Sequence, residues 1–173
     1  MSLMPQMAQG RPNEFQTNPV ALQPLLPYLK KGWTIWECAA GDGNLARALQ
    51  DDYLVIATDL YVGGMLTDFL SDKPPHFNAI VANPPFSLKD KFIARCYELG
   101  KPWAILLPIN ALGGQRRQNM YRKYGLQILM LGKRVMFKTP IKQQYLPAWQ
   151  EHAWFTWGLS LPNDIVFARL EAK

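Results

Sequence analysis

Short apolar runs alternate with amphipathic segments from residue 33 onwards, and this alternation constrains the fold more than any other feature of the sequence. The apolar runs have the lengths of buried strands, whereas the segments between them carry apolar residues at helical spacing. Strands that alternate with helices form a mostly parallel sheet with helices on both faces. The predicted strands are residues 33–38, 54–58, 77–82, 103–108, 126–131 and 153–158, and the predicted helices are residues 44–50, 88–99 and 115–124.

The two ends of the chain carry less regular patterns. Apolar residues at helical spacing predict an opening helix over residues 18–29, with Asn18 as its N-cap and with prolines that interrupt it. Near the other end, residues 165–170 are predicted to form one more strand. We expect this strand to pair with the strand at 153–158 as an antiparallel edge hairpin.

The composition predicts a single folded unit. Of the 173 residues, 49% are apolar and 12% are aromatic, which is enough for one sizeable core. We expect a flexible arm at residues 1–14, which lack periodicity, and one domain at residues 15–173 without a separate target-recognition domain. No apolar run reaches the length of about 18 residues that a membrane span needs. The N-terminus lacks a secretory pattern, so neither a membrane partner nor export is expected.

The cysteines and the charge balance indicate the surroundings of the protein. Cys38 and Cys96 lie far apart in sequence, without a C-x-x-C spacing and with only two histidines that could join them. This pattern predicts a reducing, cytoplasmic location and no metal site. The 19 Lys and Arg against 13 Asp and Glu give a net charge of +6, which favours a nucleic acid partner but also suits solubility alone.

The tetrapeptide Asn83-Pro84-Pro85-Phe86 directly follows the predicted strand at 77–82. The Asn83 side-chain oxygen and the Pro84 carbonyl can accept hydrogen bonds from an exocyclic amine, and the Phe86 ring can stack on a planar group. Because prolines restrict their own φ and the residue before them, these acceptors are fixed before a substrate arrives. The tetrapeptide therefore predicts a site for a flat, amine-bearing group. The alternative is a strand that simply ends in a Pro-Pro turn.

A glycine turn joins the first predicted strand to the first predicted helix. Its sequence from Glu37 to Asn44 carries Gly41 and Gly43, which allow a ligand to approach the backbone closely. The spacing also matches one variant of the dinucleotide-binding fingerprint. However, a pyrophosphate would lie beside the carboxylates of Asp42 and Glu37, whereas a cationic amine and a sulfonium would be stabilised by them. The turn therefore favours S-adenosylmethionine over NAD as the cofactor.

Two further acids follow the glycine turn. Asp59 ends the second predicted strand, where a carboxylate can accept hydrogen bonds from both ribose hydroxyls of either cofactor. Asp68 lies on the next loop and could accept from an adenine amine, while the neighbouring Phe69 ring covers the adenine face. The alternative for Asp68 is a surface turn residue.

The glycine turn, the two acids and the tetrapeptide follow one another along the chain as the motifs of the S-adenosylmethionine-dependent amino-methyltransferases do, and the chain resembles that family. The resemblance is closest to the DNA adenine methyltransferases, which modify the exocyclic amine of adenine. It rests on residues 37–43, on Asp59 and Asp68, and on residues 83–86, and it spans about a third of the chain. It implies a Rossmann-like, seven-stranded methyltransferase fold. The implied cofactor contacts are Thr17, Asn18, Glu37, Ala39, Gly41, Gly43, Asp59, Leu60, Asp68 and Phe69, and the implied catalytic residues are Asn83, Pro84, Pro85 and Phe86.

The resemblance also implies a mechanism and a partner. The target base would be flipped out of the DNA stack so that its amine can be reached. Enzymes of this family usually carry a sizeable target-recognition region, for which this chain offers only the irregular, basic segment 133–150. A second set of candidate phosphate contacts lies on the helix at 115–124. We therefore expect low sequence specificity, or help from a partner subunit or from a second copy of the chain.

Other functions fit parts of the same pattern. An adenine in RNA or a glutamine side-chain amide in a protein presents the same planar amine, although glutamine-modifying enzymes usually carry Tyr at the position of Phe86. A catalytically silent module that binds nucleic acid is a further alternative, and the intact Glu37, Asp59 and Asn83 argue against it. A nicotinamide-dependent oxidoreductase is disfavoured by Asp42.

Overall fold

A computed structural model describes residues 16–61, 65–138 and 144–168. The predicted arm at 1–14 lies outside these residues. Within them, the strands are β1 (Gln16–Thr17), β2 (Thr34–Glu37), β3 (Leu54–Ala57), β4 (Ala79–Ala82), β5 (Trp103–Pro108), β6 (Gln127–Met130), β7 (Met136–Lys138), β8 (Leu146–Pro147), β9 (His152–Trp157) and β10 (Ile165–Phe167). The α-helices are α1 (Asn44–Leu49), α2 (Lys89–Leu99) and α3 (Gln115–Tyr124), and short 3-10 helices lie at Pro19–Leu22, Leu26–Tyr28, Phe86–Leu88 and Ile109–Leu112.

Seven strands form the central sheet in the order β10-β6-β9-β5-β4-β2-β3. The pairs β3–β2, β2–β4 and β4–β5 are parallel, so these strands have their carboxyl ends at one edge of the sheet. Strand β9 runs antiparallel to both of its neighbours, β5 and β6. The mostly parallel sheet and its antiparallel part confirm the predicted fold class.

The predicted hairpin between residues 165–170 and 153–158 is wrong in its pairing. Strand β10 pairs in parallel with β6, with Ile165 opposite Ile128. Strand β9 has β5 on one side and β6 on the other, so both of its edges are already hydrogen-bonded. The last strand therefore extends the sheet beyond β6.

Two apolar cores cover the two faces of this sheet, because successive side chains of a strand point to opposite faces. One core contains Leu45 and Leu49 of α1, and the other contains Phe92, Ile93 and Cys96 of α2. The central strands β4 and β5 are buried over their whole length. This is the pattern of parallel strands that are covered on both faces.

The predicted opening helix is divided into two 3-10 turns. The Asn18 side chain accepts a hydrogen bond from the N–H of Val20 at 3.0 Å, as expected of the N-cap. Pro24 and Pro27 lack the N–H groups that a continuous helix would need. The segment still packs on the core through Leu22 and Leu25.

A second, small sheet contains β1, β7 and β8 in the order β1-β7-β8. All its pairs are antiparallel, and Thr17 lies opposite Phe137. The sequence predicts an irregular loop at 133–150. The short strands β7 and β8 lie within this segment and correct that prediction. In the described part of the chain, no helix is both long and apolar enough to cross a membrane.

Candidate active site

The tetrapeptide 83–86 lies at the carboxyl end of β4, where the sequence places it. Pro84 is buried, and Pro85 has an extended backbone with φ −55° and ψ 122°. Phe86 then begins the 3-10 helix that continues directly into α2. In open α/β sheets, ligands bind outside the carboxyl ends of the strands. The tetrapeptide therefore lies at the edge of the sheet where a ligand is expected.

Asn83 is held through both its side chain and its backbone. Its side-chain Nδ2 donates to Thr17 Oγ1 at 2.9 Å. Its backbone N–H donates to the carboxyl of Glu37 at the end of β2. The amide nitrogen is therefore directed at Thr17. The amide oxygen is the acceptor of this side chain, and it is the atom that can bind an N–H group of an amine.

Glu37 is a buried carboxyl at the centre of the site. It is 1% exposed, and its Oε1 atom has no hydrogen-bond partner among the described residues. Burial raises the pKa of Glu37 well above its ordinary value, the Asn83 N–H opposes that increase, and the nearby Asp59 adds to it. A positively charged group next to Glu37 would stabilise the ionised carboxylate.

A small cavity connects these residues. Its volume is about 20 Å³, which is enough for one water-sized group. Four of the predicted site residues line it together, and they are Thr17, Glu37, Ala39 and Asn83. Gln16, Ala40 and Leu45 complete the lining. The structure thus brings the cofactor motif and the tetrapeptide to one place.

The glycine turn has the backbone geometry that only glycine adopts easily. Gly41 and Gly43 have φ angles of +51° and +79°. The Asp59 carboxylate accepts from the N–H of Gly41 and from the N–H of Tyr61, both at 2.9 Å. Asp59 therefore fixes the turn in addition to the ribose contact that the sequence predicts. A Cβ at Gly41 would clash with the side chain of Gln16, which lies directly against the turn.

The remaining predicted cofactor residues lie outside the cavity lining. The Asp68 carboxylate accepts from the N–H of Leu70 at 2.9 Å and from the Ser71 hydroxyl at 3.0 Å, which is the geometry of a polar turn. Phe69 is 2% exposed and packs in the core against Trp36 and Phe92. We therefore leave Phe69 out of the proposed cofactor contacts. Leu60, by contrast, is 45% exposed and can be reached by a ligand.

An aromatic cluster supports Phe86. Its ring centroid lies 6.3 Å from that of Phe137 and 5.3 Å from that of His152, and these two rings are 5.1 Å apart. His152 is buried beside Phe86, and its Nδ1 lies 2.9 Å from the carbonyl oxygen of Gln150. The sequence gives no indication of this role of His152 beyond its position directly before the predicted strand at 153–158.

The basic segments are partly engaged in intramolecular contacts. Lys138 lies over the Tyr145 ring at 5.1 Å, and Arg134 forms an ion pair with Glu151 at 2.8 Å. Trp149 is 49% exposed. On α3, the Arg117 guanidinium is bound to Asp90. The cations of α3 that are exposed and can meet a partner are Arg116, Arg122 and Lys123.

Comparison with known proteins supports the fold. No known family profile and no curated protein matches the chain. An S-adenosylmethionine-dependent O-methyltransferase from Thermotoga maritima matches it with a TM-score of 0.52 and 14% identity over 79% of this chain and 63% of that chain. Precorrin-6y C5,15-methyltransferase from Geobacter metallireducens matches with a TM-score of 0.53 and 9% identity over 83% of this chain and 93% of that chain.

The M protein of the type I restriction enzyme EcoKI matches with a TM-score of 0.52 and 14% identity. That match covers 80% of this chain and 42% of the M protein, so the chain spans less than half of its length. The chain thus has the Rossmann-like fold of S-adenosylmethionine-dependent methyltransferases. The Thermotoga maritima protein is itself named as dependent on S-adenosylmethionine.

Proposed function

We propose that the chain is a methyltransferase that moves a methyl group from S-adenosylmethionine to the exocyclic amine of adenine in DNA. The contact between Glu37 and Asn83 supports this proposal most directly. It joins the carboxyl ends of two neighbouring parallel strands, β2 and β4. A carboxylate that attracts the cationic end of the cofactor therefore lies beside the amide that holds a planar amine.

The residues around the cavity fit a cationic cofactor. Glu37 offers a buried oxygen that needs a donor, and Asp59 lies beside it at the glycine turn. When bound, S-adenosylmethionine supplies an electrophilic methyl group on its sulfonium. A molecule of this size exceeds the cavity of about 20 Å³, so the Gln16 side chain must move away from Gly41. The other proposed contacts are Asn18, Ala39, Gly43, Leu60 and Asp68.

The tetrapeptide would hold the accepting amine. The Asn83 side-chain oxygen and the Pro84 carbonyl would accept the two N–H groups of this amine and so increase the electron density on its nitrogen. As the bond between nitrogen and the methyl group forms, the bond between sulfur and the methyl group would break, sulfur would keep the electron pair as a neutral thioether, and the nitrogen would release one proton to solvent. Phe86 stacks on the base, and Pro85 keeps the backbone between them rigid. Preorganised acceptors do not have to reorient during the reaction, so their full effect acts on the transition state.

Cations and an exposed aromatic side chain are the proposed contacts for nucleic acid. Lys138 belongs to the same strand as Phe137, which packs on Phe86. Exposed Trp149 offers an indole on which an unpaired base can stack. Exposed cations on α3 add candidate phosphate contacts. We propose low sequence specificity, or help from a partner subunit or a second copy of the chain.

The identity of the product tests this function. The protein is incubated with labelled S-adenosylmethionine and separate pools of unmethylated DNA, RNA and protein, and each pool is digested and analysed by mass spectrometry. Labelled N6-methyladenine from DNA is the expected result. Labelled RNA adenine or labelled glutamine would move the proposal to that substrate. Calorimetric binding of NAD without binding of S-adenosylmethionine would overturn it.

A further inference from the structure

An asparagine amide can serve as the acceptor of an amine in only one of its two orientations. Its oxygen accepts hydrogen bonds, whereas its nitrogen only donates them, and the two groups have nearly the same size. An amide turned by 180° would present its N–H groups to the N–H groups of the substrate. A site that depends on Asn83 therefore needs a neighbouring group that sets this orientation.

Thr17 is that neighbour. Its Oγ1 accepts from Asn83 Nδ2 at 2.9 Å, and the residue is 2% exposed. The hydroxyl is therefore screened from bulk solvent. Both residues line the same cavity, so the bond lies directly beside the proposed reaction centre.

The position of Thr17 is set by strand pairing. Thr17 lies opposite Phe137 in the antiparallel pair of β1 and β7. The next residue, Asn18, donates its backbone N–H to the Met136 carbonyl at 2.9 Å. Phe137 is 1% exposed and packs against Phe86. One pair of strands therefore supports both ends of the tetrapeptide 83–86.

We propose that Thr17 is a positioning residue whose hydroxyl keeps the Asn83 side-chain oxygen directed at the substrate amine. This inference rests on the proposed function, and it differs from the cofactor contact that the family resemblance implies for Thr17. A positioning residue acts on the transfer step through Asn83. A cofactor contact would act on the affinity for S-adenosylmethionine instead.

Two substitutions separate these roles. Thr17→Val keeps the shape of the side chain and removes the hydrogen-bond acceptor, whereas Thr17→Ser keeps the hydroxyl. Thr156→Val is the matched control, because Thr156 is also buried and its hydroxyl donates to the Gln127 carbonyl within the central sheet. We measure kcat for methyl transfer and, separately, the Kd for S-adenosylmethionine by calorimetry.

For Thr17→Val, we expect kcat to fall by about tenfold or more while the Kd changes by less than about threefold. Thr17→Ser and Thr156→Val should keep kcat within about threefold of the wild type. In an Asn83→Ala background, adding Thr17→Val should cause no further loss, because the residue through which Thr17 acts is already absent.

Three outcomes would overturn the inference. The first is a wild-type kcat for Thr17→Val. The second is a full additional loss when both substitutions are combined, because Thr17 would then act independently of Asn83. The third is a wild-type protein that binds S-adenosylmethionine and transfers no methyl group to any pool. That third result would refute the proposed function itself, whereas the first two leave it intact.

Discussion

The Glu37 carboxyl accepts a hydrogen bond from the backbone N–H of Asn83, and this bond joins two motifs that lie 46 positions apart in the sequence. The first motif carries the acid next to the glycine turn, and the second carries the amide of the tetrapeptide. Since β2 and β4 are parallel neighbours, their carboxyl ends bring the two groups together. The groups proposed to bind the methyl donor and the accepting amine therefore lie at one edge of the sheet.

Removing the Asn83 side chain should impair methyl transfer far more than the binding of S-adenosylmethionine. Asn83→Ala keeps the backbone N–H that Glu37 accepts but loses the oxygen that holds the amine. We expect a loss of about 2.7–4 kcal/mol of transition-state stabilisation, as for the deletion of one preorganised donor in an oxyanion hole. Single-turnover transfer rates and calorimetric titration with S-adenosylmethionine measure the two effects.

Asn163→Ala is the matched control for this change, because Asn163 is exposed and lies in the loop before β10. It should transfer methyl groups at the wild-type rate. If Asn83→Ala also keeps that rate, the side chain of Asn83 has no role in the chemistry.

Cofactor affinity should increase with pH because of Glu37. Burial holds the pKa of this carboxyl well above its ordinary value, so part of the protein carries it protonated when the pH lies below that raised pKa. A cationic ligand binds the ionised form, and the affinity therefore rises with pH until the raised pKa is passed. Calorimetry from about pH 5.5 to about pH 8.5 measures this slope.

Glu37→Gln carries no titratable group at this position, so its affinity should be weaker and should vary less with pH. A wild-type affinity that is independent of pH, or that falls as the pH rises, would contradict a cation beside Glu37.

Protonation of His152 should destabilise the fold in acid. Burial lowers the pKa of His152 to about 4, from an ordinary value near 6.5. The unfolded chain then binds more protons than the folded chain between these two values, so stability falls as the pH decreases through that window. The total contribution is about 3 kcal/mol. Urea unfolding at pH 7 and at about pH 4.5 should show most of this loss.

His152→Gln should remove this part of the pH dependence, because glutamine does not titrate. His76→Gln is the control for replacing a histidine, since His76 is exposed. An equal loss of stability in acid for the wild type and for His152→Gln would show that other groups cause it.

The glycine turn allows a comparison of two glycines with similar backbones. Gly41 and Gly32 have φ angles of +51° and +80°, so an alanine at either position should cost about 1–2 kcal/mol of stability. A Cβ at Gly41 would lie in the space that the Gln16 side chain fills and that the cofactor would take over once Gln16 moves away, whereas a Cβ at Gly32 meets no atom within 4 Å. We expect only Gly41→Ala to weaken the binding of S-adenosylmethionine, measured by calorimetry. Equal affinities for the two variants would place the cofactor away from this turn.

The sequence predicts the central sheet well because its signals are local. Buried strands such as β4 and β5 appear as continuous apolar runs, and Gly41 and Pro84 mark the turns that follow strands. The position of the tetrapeptide at the carboxyl end of β4 follows from the same local pattern. The contact between Asn83 and Glu37 then follows from the parallel pairing of β2 and β4.

The small sheet is harder to predict, because its strands have only two or three residues and no alternation of apolar and polar side chains. Gln16 pairs with Lys138, more than a hundred positions away in sequence, so no local pattern indicates the contact. Phe69 illustrates a similar limit. An aromatic residue after an acid can cover a ligand or pack in the core, and only the surrounding rings Trp36 and Phe92 decide between the two.

The 3-10 helix at Phe86–Leu88 continues into α2 without a loop between them. Helix α2 is anchored in the core through Phe92, Ile93 and Cys96. Interiors of proteins are packed closely enough to transmit a shift of one side chain to its neighbours. Enlarging a residue beneath α2 would therefore shift the Phe86 ring without touching the cavity, so variation in the interior of this protein can change the surface that Phe86 offers to a ligand.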